Sequence, residues 1–310
     1  MAGLLDKRLI FVAGKGGVGK STVAAALGMV AARRGLRTIV AEVARQDRVS
    51  RAFEHEPEQF REVELAPNLF AISIDPELAL QEYLQIQIKV KPVADVLAGS
   101  RMFHYFAVAT PGLQELVTIG KVWELAQLER RTRGGARYDL VIVDAPATGH
   151  GVAIMRTPKT FSDIARVGPI AGQGRTIHEM IVDSSRTGVV AVALPEEMPV
   201  NETLMLRDEL RRTLGLELDL VVANAVYRER FSADEAGALT RALETTGTPL
   251  ARAALRAALS ERARARTQRE QLARLREGTE REPAELPFLF EAELGPPAFE
   301  ALSRVLEDAL

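Results

Sequence analysis

The 310-residue chain contains no cysteine, and this absence removes several classes of site at once. Disulfides, thiolate zinc sites and iron–sulfur clusters all require the thiol side chain. Long apolar runs are also missing, since none approaches the roughly 20 residues that cross a bilayer. The first eight residues, MAGLLDKR, lack the pattern of a signal peptide. We therefore expect a cytoplasmic protein with no direct membrane insertion.

An excess of charge of one sign is missing as well. The chain has 40 Lys and Arg against 42 Asp and Glu, a net charge of −2, and its isoelectric point is near 6.2. This balance argues against a surface that coats nucleic acid. Residues 252–276 are rich in Arg, but Glu261 and Glu270 interrupt them. The favoured interpretation is a solvated helix of mixed charge, with a nucleic-acid face as the alternative, so no nucleic-acid partner is expected.

The hydrophobic content, 47%, is sufficient for a large core. Short runs that are apolar on both faces alternate with helix-like segments, which is typical of central parallel strands covered by helices. The predicted strands are Leu9–Ala13, Thr38–Val43, Leu69–Ile74, Leu140–Val143, Val189–Leu194, Leu218–Ala223 and Phe288–Phe290. The pattern predicts an α/β fold with a doubly wound, mostly parallel sheet. We expect a single domain over residues 1–310, with helical insertions at about 76–136 and 152–185, although the length also permits two domains.

A phosphate-binding loop is predicted at residues 14–21, which read GKGGVGKS and fit the pattern G-x-x-x-x-G-K-[ST]. An apolar strand precedes the loop and a helix-compatible run follows it, as the motif requires. Its glycines allow backbone N–H groups to converge on phosphate oxygens, and Lys20 would reach the β- and γ-phosphates. The predicted nucleotide-binding residues here are Gly14, Gly16, Gly17, Val18, Gly19, Lys20, Ser21 and Thr22.

The predicted strand Leu140–Val143 is followed directly by Asp144. A carboxylate at the end of such a strand lies beside the magnesium ion of a P-loop, often through water. The sequence therefore predicts ATP and Mg²⁺ as cofactors, Ser21 and Asp144 as the metal-binding residues, and Lys20 and Asp144 as catalytic residues.

A second lysine, Lys15, follows the first glycine of the motif. The form K-G-G-x-G-K-[ST] resembles the deviant P-loop of the ParA, MinD and ArsA ATPases. That resemblance implies a homodimer with nucleotide at the interface, in which Lys15 would reach the partner's nucleotide phosphates. A flexible ammonium there would neutralise charge that spreads over the phosphoryl oxygens, so Lys15 is a predicted catalytic residue.

The residues after Asp144 narrow the resemblance to the ArsA family, which includes arsenite-pump ATPases and ATPases that target tail-anchored membrane proteins. Residues 144–150, DAPATGH, resemble the family switch D-T-A-P-T-G-H, in which His150 keeps its register. Residues 110–115, 221–224 and 286–295 resemble further family segments. The resemblance implies that the Asn224 amide reads adenine and that Pro287 and Phe288 belong to the region that closes over the base.

The chain departs from the family pattern at the residue that orients the attacking water. Ala44 stands where the family has an aspartate, and Glu42 or Asp47 could substitute. Asp47 is therefore a predicted catalytic residue, and we expect slow or absent hydrolysis. Without cysteine, arsenite is not an expected cargo or activator, because trivalent arsenic prefers thiolates. One further group of residues is interpreted as core rather than as a client groove: Met102, Phe103, Tyr105, Phe106 and Trp123.

These features predict a dimeric ArsA-like ATPase that couples nucleotide state to a conformational switch and binds an unknown client or partner protein. One alternative is a positioning ATPase of the ParA or MinD type. The C-terminal apolar stripe, Phe299 to Leu306, disfavours it, because its polar face is acidic and indicates a docked helix rather than a membrane-surface helix. The other alternative is a nucleotide-gated scaffold that does not hydrolyse ATP.

Overall fold

The computed structural model describes residues 3–43, 47–56, 58–87, 110, 112–132, 134–146, 150–165, 168–291 and 293–310. Several positions singled out above lie outside the described residues, namely Ala44, Met102, Phe103, Tyr105 and Phe106.

The described strands form one eight-stranded sheet in the order β3-β4-β2-β5-β1-β6-β7-β8. Their bounds are β1 Leu9–Ala13, β2 Thr38–Val43, β3 Val63–Ala66, β4 Leu69–Ile74, β5 Leu140–Asp144, β6 Thr187–Ala193, β7 Leu220–Val226 and β8 Ala284–Pro287. Every neighbouring pair is parallel except β3 with β4. The prediction of a mostly parallel α/β sheet is confirmed, and the fully buried strands β1, β2, β4, β5 and β6 explain why their sequences are apolar on both faces.

Two strands at the edges differ from the prediction. The prediction of a strand at Phe288–Phe290 is wrong, because the last described strand is Ala284–Pro287. Its Ala284 and Leu286 side chains are buried in the core, whereas Phe288 and Phe290 are exposed and pack on each other. The edge strand Val63–Ala66 was missed, since only one of its four residues is buried and the run is not continuously apolar.

Helices cover both faces of the sheet. Their bounds are α1 Lys20–Arg33, α2 Arg48–Ala52, α3 Pro76–Gln87, α4 Leu113–Leu125, α5 His150–Ala165, α6 Pro169–Val182, α7 Glu197–Leu214, α8 Ala233–Thr245, α9 Pro249–Thr279 and α10 Pro296–Asp308. The α1, α2 and α10 helices share one apolar core with the sheet, and α4 to α7 with α9 share the other. Helices α3 and α4 fall in the first predicted insertion, and α5 and α6 fall in the second.

The C-terminal helix α10 docks on the domain through a buried apolar stripe, as its sequence pattern predicts. Phe299, Leu302 and Leu306 are each at most 3% exposed. The Phe299 ring stacks on that of Phe53, with centroids 5.4 Å apart. Arg33 of α1 forms ion pairs with two carboxylates on the polar side of α10. In the part of the chain that is described, no helix combines the length and the apolar character needed to cross a membrane.

Candidate functional site

The predicted P-loop connects β1 to α1, and two of its glycines lie so close to neighbouring atoms that a Cβ atom would clash, Gly14 with backbone and Gly19 with a side chain. A Cβ atom on Gly14 would lie 2.3 Å from the Val192 carbonyl oxygen of the neighbouring strand β6. Gly19 has φ of 91°, and a Cβ atom there would lie 2.2 Å from Nδ2 of Asn224. Glycine is the residue that accepts both the positive φ and the lack of space. The loop therefore turns tightly onto the carboxyl end of the sheet before α1 begins at Lys20.

The loop borders a cavity of about 420 Å³, here called the phosphate cavity. Seven of its lining residues are among the predicted site residues: Gly16, Gly17, Gly19, Lys20, Ser21, Thr22 and Asp144. The other seven were not predicted as binding residues, although Ala145, Pro146 and Leu294 lie in segments that resemble the family: Arg48, Val49, Ala52, Ala145, Pro146, Leu294 and Phe299. A volume of this size lies within the range of sites for small molecules.

Ser21 and Asp144 meet at the floor of the phosphate cavity. Strands β1 and β5 are paired in parallel, so their carboxyl ends and the residues that follow lie side by side. The Ser21 hydroxyl donates a hydrogen bond of 2.5 Å to Oδ2 of Asp144. Burial raises the pKa of the Asp144 carboxyl, although the Ser21 hydrogen bond and the cations of Lys20 and Arg48 oppose that rise. A bound Mg²⁺ would favour the ionised form, because an opposite charge stabilises it.

The hydroxyl and carboxylate oxygens of this pair suit Mg²⁺, a hard cation that keeps several waters and is completed by substrate phosphates. No group of three or more His, Asp or Glu side chains that could hold a metal occurs among the described residues. The oxygens of Ser21 and Asp144 fit a Mg²⁺ ion whose remaining ligands would be waters and nucleotide phosphates.

Lys20 projects from the first turn of α1 and folds back over the loop. Its ammonium donates a hydrogen bond of 2.9 Å to the Lys15 carbonyl oxygen. Burial lowers the pKa of Lys20, the Asp144 carboxylate raises it, and the Arg48 guanidinium lowers it further. A polyanion in the cavity would favour the charged ammonium for the same electrostatic reason that Asp144 does.

The buried carboxylate Glu42 lies next to Asp144 in the sheet, where β2 and β5 pair in register. It is 0% exposed. Its Oε1 accepts hydrogen bonds from the backbone N–H groups of Arg48, at 2.7 Å, and Val49, at 3.1 Å. Its Oε2 has no hydrogen-bond partner among the described residues. Burial raises the pKa of Glu42 to about 7, against the two backbone hydrogen bonds. Glu42 therefore supports the start of α2 and does not line the phosphate cavity.

The geometry of the loop, the Ser21–Asp144 contact and the sheet agrees with the comparisons with known proteins. The profile of the family described as anion-transporting ATPase (ArsA_ATPase) matches residues 7–170, more than half of the chain. The chain belongs to the anion-transporting ATPase family. The resemblance predicted from the P-loop and from residues 144–150 is thereby confirmed.

Individual members of the family align over most of the chain. ATPase BagA of Mycobacterium tuberculosis is 30% identical over 223 residues, which cover 70% of this chain and 64% of that protein. ATPase get3 of Neurospora crassa is 27% identical over 217 residues, which cover 68% of this chain and 60% of that protein. ATPase GET3 of Lachancea thermotolerans is 26% identical over 263 residues, covering 73% of each. The chain thus spans less than two thirds of the length of the first two relatives.

Lys15, the first lysine of the P-loop sequence, makes its side-chain contacts within its own chain. Nζ of Lys15 lies 3.2 Å from Oε1 of Glu202, which is carried by α7. The same ammonium is 3.9 Å from the sulfur of Met198, one turn earlier on that helix. Met198 and Met205 are 61% and 70% exposed. Lys15 therefore lies at an exposed surface, and it does not line the phosphate cavity.

Asp47, the predicted substitute for the family's water-orienting aspartate, precedes α2 with a left-handed φ of 46°. It is not among the residues that line the phosphate cavity, whereas the next residue, Arg48, is. Neither expected substitute for the water-orienting aspartate lines the cavity: Glu42 is buried, and Asp47 lies next to the lining residue Arg48 in the chain.

The residues that the family resemblance assigns to adenine lie beyond the phosphate cavity. The Asn224 amide donates a hydrogen bond of 2.9 Å to the Val18 carbonyl oxygen, so it braces the P-loop. Val18 itself is 1% exposed and packs into the core. The Phe288 ring stacks on Tyr227 at 4.7 Å, and Pro287 ends β8.

A second cavity of about 180 Å³ lies among helices from both predicted insertions. Its walls are contributed by α3, α4 and α6, and they include Leu80, Tyr83, Leu116, Trp123 and Ile177. Trp123 is 7% exposed, as its interpretation as a core residue requires, and it also lines this cavity.

Proposed function

We propose that this chain binds Mg²⁺-ATP at the phosphate cavity and hydrolyses it slowly. The observation that carries the proposal is the contact of Ser21 with Asp144 beside Lys20, at the end of a P-loop with two sterically required glycines. Each of these groups has a defined task in phosphoryl transfer.

Different groups of the site would bind the phosphates, supply positive charge and hold the metal. Backbone N–H groups of the glycine-rich loop and the N-terminus of the 14-residue helix α1 attract phosphate oxygens. Lys20 supplies a point charge for the terminal phosphates. Ser21 and Asp144 would hold Mg²⁺, which neutralises charge on the phosphates when it is bound. Gly14 and Asn224 keep the loop against the sheet.

We further propose a homodimer in which Lys15 leaves Glu202 and reaches the partner's nucleotide. The half-buried position of Lys15 beside the exposed Met198 of α7 supports this arrangement. Lysine is suited to such a movement, because its ammonium is a point charge on a flexible side chain, unlike the planar guanidinium of arginine.

The helical insertions are the proposed place where nucleotide state is read by a client or partner protein. An apolar cavity lies among α3, α4 and α6, and buried ion pairs hold the helices around it. The Lys121 ammonium lies 2.7 Å from Glu82, which links α4 to α3. Glu124 of α4 also pairs with Arg130, which is 2% exposed. Ion pairs that hold α3 and α4 together would allow these helices to move as one rigid unit when the nucleotide state changes.

Arsenite is not the proposed cargo, because the chain has no thiol to bind it. A ParA- or MinD-like positioning role is less favoured than the ArsA-like one, given the acidic, docked helix α10. One observation supports the second alternative, a nucleotide-gated scaffold that does not hydrolyse ATP. Among the described residues that line the phosphate cavity, Asp144 is the sole carboxylate. A cytoplasmic location stays a prediction.

The test is calorimetric titration of ATP and ADP, with Mg²⁺, into the wild type and Lys20→Ala. We expect Lys20→Ala to weaken both nucleotides by about 10- to 100-fold, since a hydrogen bond to a charged group is removed. Lys159→Ala, an exposed lysine on α5, is the matched control and should bind as the wild type does. Unchanged ATP affinity in Lys20→Ala would overturn the assignment. Pulldown with ATP against ADP then identifies any nucleotide-dependent client.

A further inference from the structure

Arg48 lines the phosphate cavity, although neither the P-loop motif nor the strand-end motif includes it. It begins α2 and shares the cavity wall with Lys20, Ser21 and Asp144. Its side chain is exposed and therefore has access to the cavity and to solvent. An arginine placed here can meet the same ligand as the P-loop lysine.

The backbone of Arg48 is held from behind by the interior of the protein. Oε1 of the fully buried Glu42 accepts its N–H at 2.7 Å. The next residue, Val49, is 1% exposed, and Phe53 just after α2 stacks on Phe299. Because Glu42 pairs in register with Asp144, the position of Arg48 is tied to the strand that carries the metal-binding carboxylate.

The ionisable side chains on the cavity wall leave an excess of positive charge. Among the described lining residues they are Lys20, Arg48 and Asp144. Arg48 is close enough to both of the others to lower their pKa values. If Asp144 serves the metal, as proposed above, both cations remain for the anionic ligand. Guanidinium presents a planar fork of donors that matches two oxygens of one phosphate group.

We propose that Arg48 is a phosphate-binding residue of this site, which contacts the terminal phosphoryl group of ATP and stabilises the charge on it during hydrolysis. The assignment rests on the proposed function of the cavity. In the reaction, water oxygen bonds to the γ-phosphorus and the bond from that phosphorus to the β–γ bridging oxygen breaks. Both protons of the water leave with the inorganic phosphate as H₂PO₄⁻, the bridging oxygen stays on ADP as a phosphate oxygen, and Arg48 stays protonated throughout. Arg48 thus contributes charge and orientation, whereas a carboxylate would act on the water.

The test compares Arg48→Ala, Arg48→Lys and the matched control Arg51→Ala, an exposed arginine on the same short helix that does not line the cavity. Calorimetry gives the affinities for Mg²⁺-ATP and Mg²⁺-ADP, and single-turnover phosphate release gives the rate. We expect Arg48→Ala to slow hydrolysis by about 100-fold or more and to weaken ATP by about tenfold. ADP, which lacks the γ-phosphate, should bind within about twofold of the wild type.

Arg48→Lys should recover only part of the rate, since an ammonium lacks the planar fork, and Arg51→Ala should match the wild type. A rate within about twofold of the wild type in Arg48→Ala would overturn the assignment, as would an equal loss of ATP and ADP affinity. Should Arg48→Ala melt at a lower temperature, Arg48→Gln retains the aliphatic stem and the backbone hydrogen bond to Glu42. The ATP-to-ADP affinity ratio of that variant then decides between the two outcomes.

Failure of the proposed function gives a different result. If the wild type binds neither nucleotide, or if Lys20→Ala binds both normally, the cavity is not a nucleotide site. If Lys20→Ala loses both nucleotides while Arg48→Ala behaves as the wild type in rate and affinity ratio, only the Arg48 assignment fails. If the wild type binds ATP without hydrolysing it, the affinity ratio alone tests the contact.

Discussion

Lys15 and Glu202 form an ion pair within one chain, with 3.2 Å between the ammonium nitrogen and a carboxylate oxygen. The two side chains are 30% and 31% exposed. A lysine held here cannot at the same time reach a nucleotide on a second protomer. The pair therefore competes with the dimer contact proposed for Lys15.

Glu202→Gln should favour the closed dimer, because it removes the competing partner of Lys15. Exposed ion pairs contribute about 0.2–1 kcal/mol each, and closing the homodimer breaks two of them, so the dimer dissociation constant with a non-hydrolysable ATP analogue should fall by up to about 30-fold. Sedimentation velocity measures it. The control is Glu209→Gln, on the same helix as Glu202, which loses a similar surface pair with Arg156 of α5. It should dimerise as the wild type does. Weaker dimerisation in Glu202→Gln would assign Glu202 to the interface instead.

Asp144→Asn should remove the magnesium dependence of nucleotide binding while it preserves the shape of the site. We expect the gain in ATP affinity on adding Mg²⁺ to fall by about tenfold or more, and binding in chelator to stay close to that of the wild type. Titrations with Mg²⁺ and with chelator provide the comparison. Asp163→Asn, an exposed carboxylate on α5, is the control. A magnesium effect of wild-type size in Asp144→Asn would exclude it as a ligand.

Glu42→Gln should change the pH dependence of stability in nucleotide-free protein with chelator. Burial raises the pKa of Glu42 in the folded protein to about 7, from an ordinary value of 4.5. The folded state therefore binds more protons than the unfolded state between these values, and stability falls as pH rises through this window. Above it, the buried charge costs at most about 3 kcal/mol, which neutral Gln avoids.

Glu42→Gln should thus be more stable than the wild type at pH 8, and the difference should shrink to near zero by pH 4. Urea unfolding at a series of pH values measures it. Glu64→Gln, on the exposed face of β3, is the control and should follow the wild type across the series. A constant difference between Glu42→Gln and the wild type at every pH would show that the carboxyl does not titrate in this range.

Gly19→Ala should be more damaging than Gly17→Ala, although both glycines have positive φ values of 91° and 85°. Each substitution costs about 1–2 kcal/mol for the left-handed backbone. Only Gly19→Ala also meets the Asn224 amide, whereas a Cβ atom on Gly17 meets nothing within 4 Å. The displaced hydrogen bond to Val18 adds about 1 kcal/mol.

Denaturant unfolding of both glycine variants, with and without Asn224→Ala, isolates that second contribution. The difference between Gly19→Ala and Gly17→Ala should disappear in the Asn224→Ala background, because the clash and the hydrogen bond are both absent there. If the difference persists, the amide is not its cause.

If Ala44 stands at the position of a water-orienting aspartate, as the family resemblance implies, turnover by the wild type should be well below the usual enzyme median of about 10 per second. Asp47→Asn should reduce the remaining rate by about tenfold or more if Asp47 orients the water. Steady-state phosphate release measures both, and Glu56→Gln, an exposed carboxylate nearby, is the control. Unaltered turnover in Asp47→Asn would exclude Asp47.

The parts of the site that sequence reasoning found are local in the chain. The P-loop residues 14–21 are contiguous, and Asp144 ends an apolar strand that pairs with the strand before the loop. A strand–loop–helix pattern places such groups at one edge of a parallel sheet whatever the rest of the chain does. For that reason Lys20, Ser21 and Asp144 could be predicted to lie together.

The parts that were missed depend on contacts between distant segments. Phe299 reaches the phosphate cavity because α10 packs on α1 and carries it there, and Leu294, which also lines the cavity, lies just before that helix. Nothing in the local pattern distinguishes Phe299 from any other core residue of an amphipathic helix. The strand expected at Phe288–Phe290 was wrong for a related reason, since burial against β7 selected residues 284–287 instead.

By itself the sequence determined the class of sheet, the phosphate-binding loop and the carboxylate beside it, because hydrophobic periodicity and glycine spacing act over short distances. Only the tertiary structure decided the states of the other charged groups. It buries Glu42 completely, brings Arg48 to the cavity wall through the N–H that Glu42 accepts, and pairs Lys15 with Glu202. Whether a charge is buried, paired or free to meet a ligand depends on every element packed around it, and that packing is not written in any single segment of the chain.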